Sequence, residues 1–442
     1  MDEFKIAEHG RGATVDDADA GRAAASIGPV NDARWGAAWS TSLQRPSLGF
    51  DPNWSVQGFA NQTLRQVVRL TAGGDLLRVR LSNVFGHTPL SVTAATVALS
   101  RGRAAVRIDT ARPLTVGGEA AFAIPAGEEV ASDPVVFRSA PLDSVVVSMY
   151  SAAPTGLASY HAQALATSYR AAGDACADGS GRLFTETSRS WYFLSGVDVA
   201  GGPARPPGIV VFGDSLTDGS FSTPDANRRF PDILAERFIA AGRPRAVLNH
   251  GIGGNRLTVD SAWLGAKATS RFRRDVLSQP GIGTVVVLLG INDIGISEAA
   301  NIAPLPIFEP YTEVSADEVI AAHRDLVAQA HIAGLRMVGA TVPSAKPSPF
   351  STARSEAKRA AINTWIRTSS TYDAVVDLDA ALGSPTDPDR LHADYDSGDH
   401  LHPNDAGYRA MAEAIDLATL DPTPTGSKSP APHHVPTEGV NS

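Results

Sequence analysis

The sequence predicts a β-sandwich followed by an α/β unit built on a parallel sheet, and three observations carry that prediction. From about Trp35 to Val199, short β-like runs are separated by turn residues and long amphipathic helices are hard to find. The stretch Gly201-Gly202-Pro203-Ala204-Arg205-Pro206-Pro207-Gly208 then breaks both helix and strand. Beyond it, short apolar runs alternate with helical stretches, the pattern of a parallel sheet covered on both faces.

Taken in order, residues 1–30 open on a polar, acidic, alanine-rich stretch that is set aside as a frayed or appended terminus. The first unit is placed at 31–203. Its best strand is Leu77-Arg78-Val79-Arg80-Leu81-Ser82, where apolar and polar residues alternate and one face is expected to be buried. Val135–Phe137, Val145–Tyr150 and Trp191–Leu194 are further β-like runs, so a sandwich or jelly-roll module fits. Trp39, Trp54, Trp191 and Trp263 are read as core rather than as platforms for a sugar ring.

The second unit is placed at 204–420, with strands near 209–213, 246–250, 284–289, 335–341 and 374–378. Helices are clearest at 316–333, where Val319, Ile320, Leu326, Val327 and Ala330 share a stripe, and at 354–368, with Ala361, Ile362, Trp365 and Ile366. Residues 421–442 carry five prolines and too little apolar material to order themselves, so a flexible tail is expected.

The 442 residues exceed one ordinary domain at roughly 150 residues each. A formal charge of -9 argues against nucleic acid, whose phosphates are held by clustered Lys and Arg. Cys176 is the single cysteine, which excludes an intrachain disulfide and a cysteine-based zinc site. No apolar stretch approaches the ~18 to 20 residues of a membrane span, and the first thirty residues lack the apolar core of a signal peptide. The protein is then either cytosolic or, the reading favoured here, secreted with its leader removed. Oligomeric state is not legible.

Gly213-Asp214-Ser215-Leu216 directly follows the apolar run Ile209–Phe212, which delivers a serine hydroxyl at the mouth of a buried strand. Three further blocks follow: Asn249-His250-Gly251-Ile252-Gly253-Gly254-Asn255, Gly290-Ile291-Asn292-Asp293 and Asp399-His400-Leu401-His402-Pro403. Each candidate lies after a predicted strand, where an open parallel sheet keeps its ligand crevice. Serine is a poor nucleophile until a base takes its proton, and imidazole is suited to that. Hence Ser215 is read as nucleophile, His402 as base, and Asp399 as the group that fixes the imidazole tautomer. The N–H groups of Ser215 and Gly254 and the Asn292 amide are candidate donors to a tetrahedral oxyanion.

His400 competes with His402 from the same loop, and His402 is preferred on the Asp-x-x-His-Pro pattern. Asp214 and Asp293 are read as loop-orienting. Arg256 is a candidate substrate contact, with a solvated surface arginine as the competing reading, and His323 and His331 are assigned no role. Asp394, Asp396, Asp399 and Asp405 fit no dedicated metal loop, and no complete nucleotide fingerprint occurs.

The four blocks resemble those of the SGNH, or GDSL, hydrolase superfamily over roughly 209–415. That resemblance implies a flavodoxin-like three-layer α/β/α fold, a serine esterase acting through an acyl-enzyme, and no metal or organic cofactor. It matches Ser215 to the nucleophile, Gly254 and Asn292 to the oxyanion hole, and Asp399 with His402 to the rest of the triad. Gln62–Val68 and Arg78–Asn83 further resemble a bacterial subgroup in which a β-rich module precedes the catalytic one. The expected substrate is a small-molecule or carbohydrate ester with a short acyl group such as acetyl. Lipid- or polyester-directed esterase or acyltransferase chemistry is the alternative, and a non-catalytic carbohydrate-binding protein the weaker one.

Overall fold

Every residue of the strand Gly208–Gly213 is buried, as a strand flanked on both edges and covered on both faces must be. It pairs in parallel with Val247–Gly251 on one side and Ile282–Leu288 on the other. Arg336–Ala340 and Ala374–Val376 extend the sheet. The spatial order is second, first, third, fourth, fifth. This is the flavodoxin-like winding, and it opens a crevice beside the carboxyl end of the first strand.

The computed structural model describes residues 34–300 and 305–422. The terminus expected over 1–30 and almost all of the tail expected over 421–442 lie outside the described residues.

Helix Ala316–Ile332 starts in a capping box formed by Ser315 and Glu318 and buries the five residues expected of it. Helix Ala353–Thr368 is rotated from the expected stripe: Arg359, Ile362, Asn363 and Ile366 are buried, while Ala361 faces solvent. The inward row is i, i+3, i+4, i+7, and it includes an arginine that sequence reading had no reason to place inside. Arg359 is buried because Glu356 and Asp379 pair with it.

The N-terminal half is antiparallel. One sheet runs Gly36–Ser40, Leu194–Ala200, Gly74–Ser82, Val135–Ser139, and the other runs Glu186–Ser188, Ser168–Ala172, Gln62–Arg69, Ser144–Ser151, Ala94–Gly102. Leu77, Val79, Val197 and Val199 of the first meet Leu64, Val97, Val145 and Val147 of the second in one core, the face-to-face packing of a sandwich. Trp39, Trp54 and Trp191 lie in that core, whereas Trp263 is only partly covered. The run Trp191–Leu194 is not one strand. Phe193 has φ of 56°, so Trp191–Tyr192 pairs with Tyr160–His161 while Leu194–Ala200 turns into the other sheet.

Leu77–Ser82 buries the apolar face expected of it, and its Arg80 is covered as well. Arg80 is 7% exposed, because it pairs with Asp198 and donates to Gln279 of the C-terminal half at 2.7 Å. Period-two alternation reports polarity, and here the polar face is covered by the other half of the chain. The contact continues along the edge strand Val247–Gly251, whose terminal groups are taken by Thr71 Oγ1 and whose His250 ring meets the Ser40 and Ser42 hydroxyls. The first residue of that open edge thereby has its backbone N–H and carbonyl partnered.

Candidate active site

Ser215 opens the one-turn helix Ser215–Asp218 directly after the first parallel strand. Asp214 caps that turn, accepting the Leu216 N–H at 3.0 Å. Burial, with the nearby Asp293 carboxylate, pushes the Asp214 carboxyl up to about 7. Asp293 is likewise raised by burial and accepts the Leu257 N–H, the Thr258 N–H and the Thr258 hydroxyl. Both carboxyls orient loops.

On the far side, Asp399 and His402 share a loop leading into the helix Asp405–Glu413. Asp399 Oδ1 accepts the N–H groups of Leu401 and His402 at 2.9 and 2.8 Å. Its Oδ2 lies 2.6 Å from His402 Nδ1. Burial would raise this carboxyl, but the His402 hydrogen bond and charge, with the backbone donors, outweigh burial and hold it well below the usual carboxylate range. A carboxylate only accepts, so Nδ1 carries the proton and Nε2 is left to accept from Ser215 Oγ, 2.8 Å away. His400 points elsewhere: its Nδ1 is 2.6 Å from Asp396 Oδ2.

Gly254 has φ of 74°, and a Cβ there would stand 2.7 Å from Leu264 Cδ2, so both conformation and space call for glycine. Neither its N–H nor that of Ser215 has an acceptor among the described residues. Asn292, in the first turn of Ile291–Ala299, gives one amide hydrogen to the Asn255 carbonyl at 3.1 Å. Ser215, Gly254, Asn292 and His402 all line one cleft of about 370 Å³. Arg256 does not line it. The surface reading of Arg256 is overturned, since it is 1% exposed and donates to the Pro310 carbonyl at 2.6 Å.

Residues 211–410 match the model of the GDSL-like Lipase/Acylhydrolase family. This region is a GDSL-like lipase/acylhydrolase domain. No curated protein matches the chain. Among solved structures, similar ones include a GDSL-like lipase from Bacteroides thetaiotaomicron, at 20% identity over 49% of this chain and 91% of the other with a TM-score of 0.35. A carbohydrate acetylesterase from Sinorhizobium meliloti aligns at 15% identity over 47% and 95%, TM-score 0.36. An aryl esterase from M. smegmatis aligns at 17% over 49% and 100%, TM-score 0.37.

The GDSL-like domain does not build its cleft alone. Phe50, Asp51, Gln163, Leu165 and Arg189 come from the antiparallel half and line the same space. Sequence reading missed them all, because nothing in a β-rich unit's periodicity says which loop crosses to a neighbour. Within the GDSL-like domain it also missed Phe221, whose ring centroid is 5.3 Å from that of His402 and whose φ of 67° is unusual for a bulky residue. Arg271 was missed as well. Fully buried, it donates to the carbonyls of Gly213 and His250, to Asn255 Oδ1 and to Ser42 Oγ, and it pairs with Asp275, so one guanidinium ties the first two blocks together. Among the described residues no helix is long and apolar enough to cross a membrane.

Proposed function

We propose that this protein is a serine esterase that hydrolyses carboxylic esters through an acyl-enzyme. The observation that carries the reading is the unbroken chain Ser215 Oγ, His402 Nε2, His402 Nδ1, Asp399 Oδ2, with contacts of 2.8 and 2.6 Å. Ser215 Oγ attacks the ester carbonyl while His402 Nε2 takes its proton. Asp399 holds the ring and stabilises the imidazolium without itself being protonated. The negative oxygen of the tetrahedral intermediate is received by the N–H groups of Ser215 and Gly254 and by the Asn292 amide. His402 then protonates the departing alcohol, and a water molecule, deprotonated by the same nitrogen, releases the acid and restores Ser215.

Short acyl groups, such as acetyl on a carbohydrate or small alcohol, are the substrate class we favour. A cleft of about 370 Å³ lies at the small end of ligand pockets, which span roughly 300–1,000 Å³. Its aromatic walls, Phe50, Phe221, Phe308 and Phe350, suit a flat or compact alcohol part. The test is turnover of p-nitrophenyl acetate by the parent and by Ser215→Ala, followed by acyl esters of increasing length beside acetylated glycans. Loss of turnover in a folded Ser215→Ala variant is expected, with rates falling as the acyl chain lengthens. Parent-like turnover by Ser215→Ala sinks the mechanism, and a preference for long chains sinks the substrate class.

A further inference from the structure

His161 belongs to the antiparallel half, yet it sits beneath the Ser215 turn. It is 2% exposed and stacks on Trp191. Its Nδ1 faces the Ser42 carbonyl at 2.9 Å and its Nε2 faces Asp218 Oδ1 at 3.0 Å. The Ser42 carbonyl can only accept, so Nδ1 carries a proton, and opposite an ionised Asp218 Nε2 carries one too, which makes the pair imidazolium against carboxylate. Burial alone would lower this imidazole, but the Asp218 charge and hydrogen bond, with the Ser42 carbonyl, raise it above the ordinary histidine value.

Asp218 passes the contact on. Its other oxygen accepts the Gly253 N–H at 3.0 Å, and Gly253 immediately precedes the candidate oxyanion donor Gly254. Asp218 also closes the one-turn helix that begins with Ser215, so a single carboxylate spans the nucleophile's helix and the glycine turn. Two residues along from His161, Gln163 also bears on both segments. Its Oε1 accepts the Ser220 hydroxyl at 2.9 Å and lies 2.2 Å from where a Cβ on Gly253 would be. A Cβ on Gly253 would displace the end of that side chain. The segment 161–163 thus grips both the nucleophile turn and the glycine turn.

We propose that His161 and Gln163 are positioning residues: acting through Asp218 and Ser220, they fix the Gly253–Gly254 turn against Ser215, which makes the antiparallel half a working part of the oxyanion hole. The proposal rests on the esterase reading above. It follows that removing either side chain lowers transition-state stabilisation more than it lowers substrate binding.

The experiment measures kcat, KM and melting temperature for the parent, His161→Gln and Gln163→Ala on p-nitrophenyl acetate, with single-turnover acylation rates for each. We expect kcat and the acylation rate to fall roughly 10- to 100-fold, the scale of displacing an oxyanion donor, with KM changed by less than about threefold. His161→Gln loses a buried charge opposite Asp218, so Asp218→Asn is paired with it. In the double variant the uncompensated carboxylate is gone, and stability should recover more than kcat does. Should His161→Gln not fold, Gln163→Ala, at the half-buried cleft wall, carries the same readout.

Values of kcat within about twofold of the parent in folded variants overturn the proposal, as does a uniform loss that tracks melting temperature. These results are separable from failure of the esterase reading. That failure shows as parent-like turnover in Ser215→Ala or an inactive parent, whereas here the parent is active, Ser215→Ala is dead, and only the His161 and Gln163 variants decide.

Discussion

Ser215 Oγ and His402 Nε2 stand 2.8 Å apart although 187 residues separate them in the chain. The contact exists because the loop after the fifth parallel strand returns over the crevice left beside the first. Among the described residues, Asp399 is the one acidic partner of the His402 ring.

Replacing that partner by an amide tests the tautomer argument. Asp399→Asn can keep an oxygen for the Leu401 and His402 N–H groups, but it turns an NH₂ toward His402 Nδ1 and favours the tautomer that protonates Nε2. We expect kcat to drop roughly 10³- to 10⁴-fold with little change in melting temperature. Retention of more than about a tenth of parental kcat would mean that Asp399 does not set the tautomer.

Asn292 bears on the oxyanion donors. Asn292→Ala removes an amide that lines the cleft and leaves the backbone donors of Ser215 and Gly254 in place. The expected cost is about 10²- to 10³-fold in kcat with KM nearly constant. A change confined to KM would reassign Asn292 to ground-state binding.

At Gly254 the expected loss has a steric origin. Gly254→Ala meets Leu264 Cδ2 at 2.7 Å and forces alanine to φ of 74°, a region costing L-residues roughly 1–2 kcal/mol. Both melting temperature and kcat should fall, and adding Leu264→Ala should recover some of each by relieving the contact though not the dihedral. If Gly254→Ala matches the parent in both, the turn is not constrained as described.

Asp214 makes a pH prediction with a definite sign. Its folded carboxyl titrates at about 7, above the unfolded reference near 3.9. A raised acid binds its proton more tightly when folded, so its contribution favours the fold at low pH and is lost as pH rises from about 4 through 7. Asp214→Asn cannot ionise, and its melting temperature should therefore fall less than the parent's between pH 5 and pH 8. Equal falls in the two proteins would refute a perturbed Asp214, leaving the likewise raised Asp293 to account for the slope.

Arg271 yields a stability prediction. Arg271→Leu strips donors from Gly213, His250 and Asn255 and leaves Asp275 with Arg274 alone. Breaking a buried, hydrogen-bonded charge of this kind costs on the order of 3–5 kcal/mol. Chemical denaturation of the variant reads this directly, and a loss below about 1 kcal/mol would show the guanidinium to be dispensable.

Much of the α/β half was legible from residue order alone. Buried parallel strands are continuous apolar runs such as Ile209–Phe212, and helices covering them repeat with a 3.6-residue period, so both signals are local. The turn-forming Gly254 and the nearness of Asp399 to His402 are local too. The helix at Ala353–Thr368 shows the limit, since Arg359 is held inward by Asp379, from another segment, as well as by Glu356 of its own helix.

By itself the sequence determined the two-part organisation, the parallel sheet and the four blocks that mark a GDSL-like domain, because these depend on neighbours within a few positions along the chain. Tertiary structure alone decided that Arg80 and Arg256 are buried and that His161 and Gln163 reach the glycine turn, and it set the His402 ring, already favoured by the Asp-x-x-His-Pro pattern, against Ser215. Those facts depend on which surfaces meet, and a polar side chain looks the same in a sequence whether water or a carboxylate from a distant strand finally satisfies it.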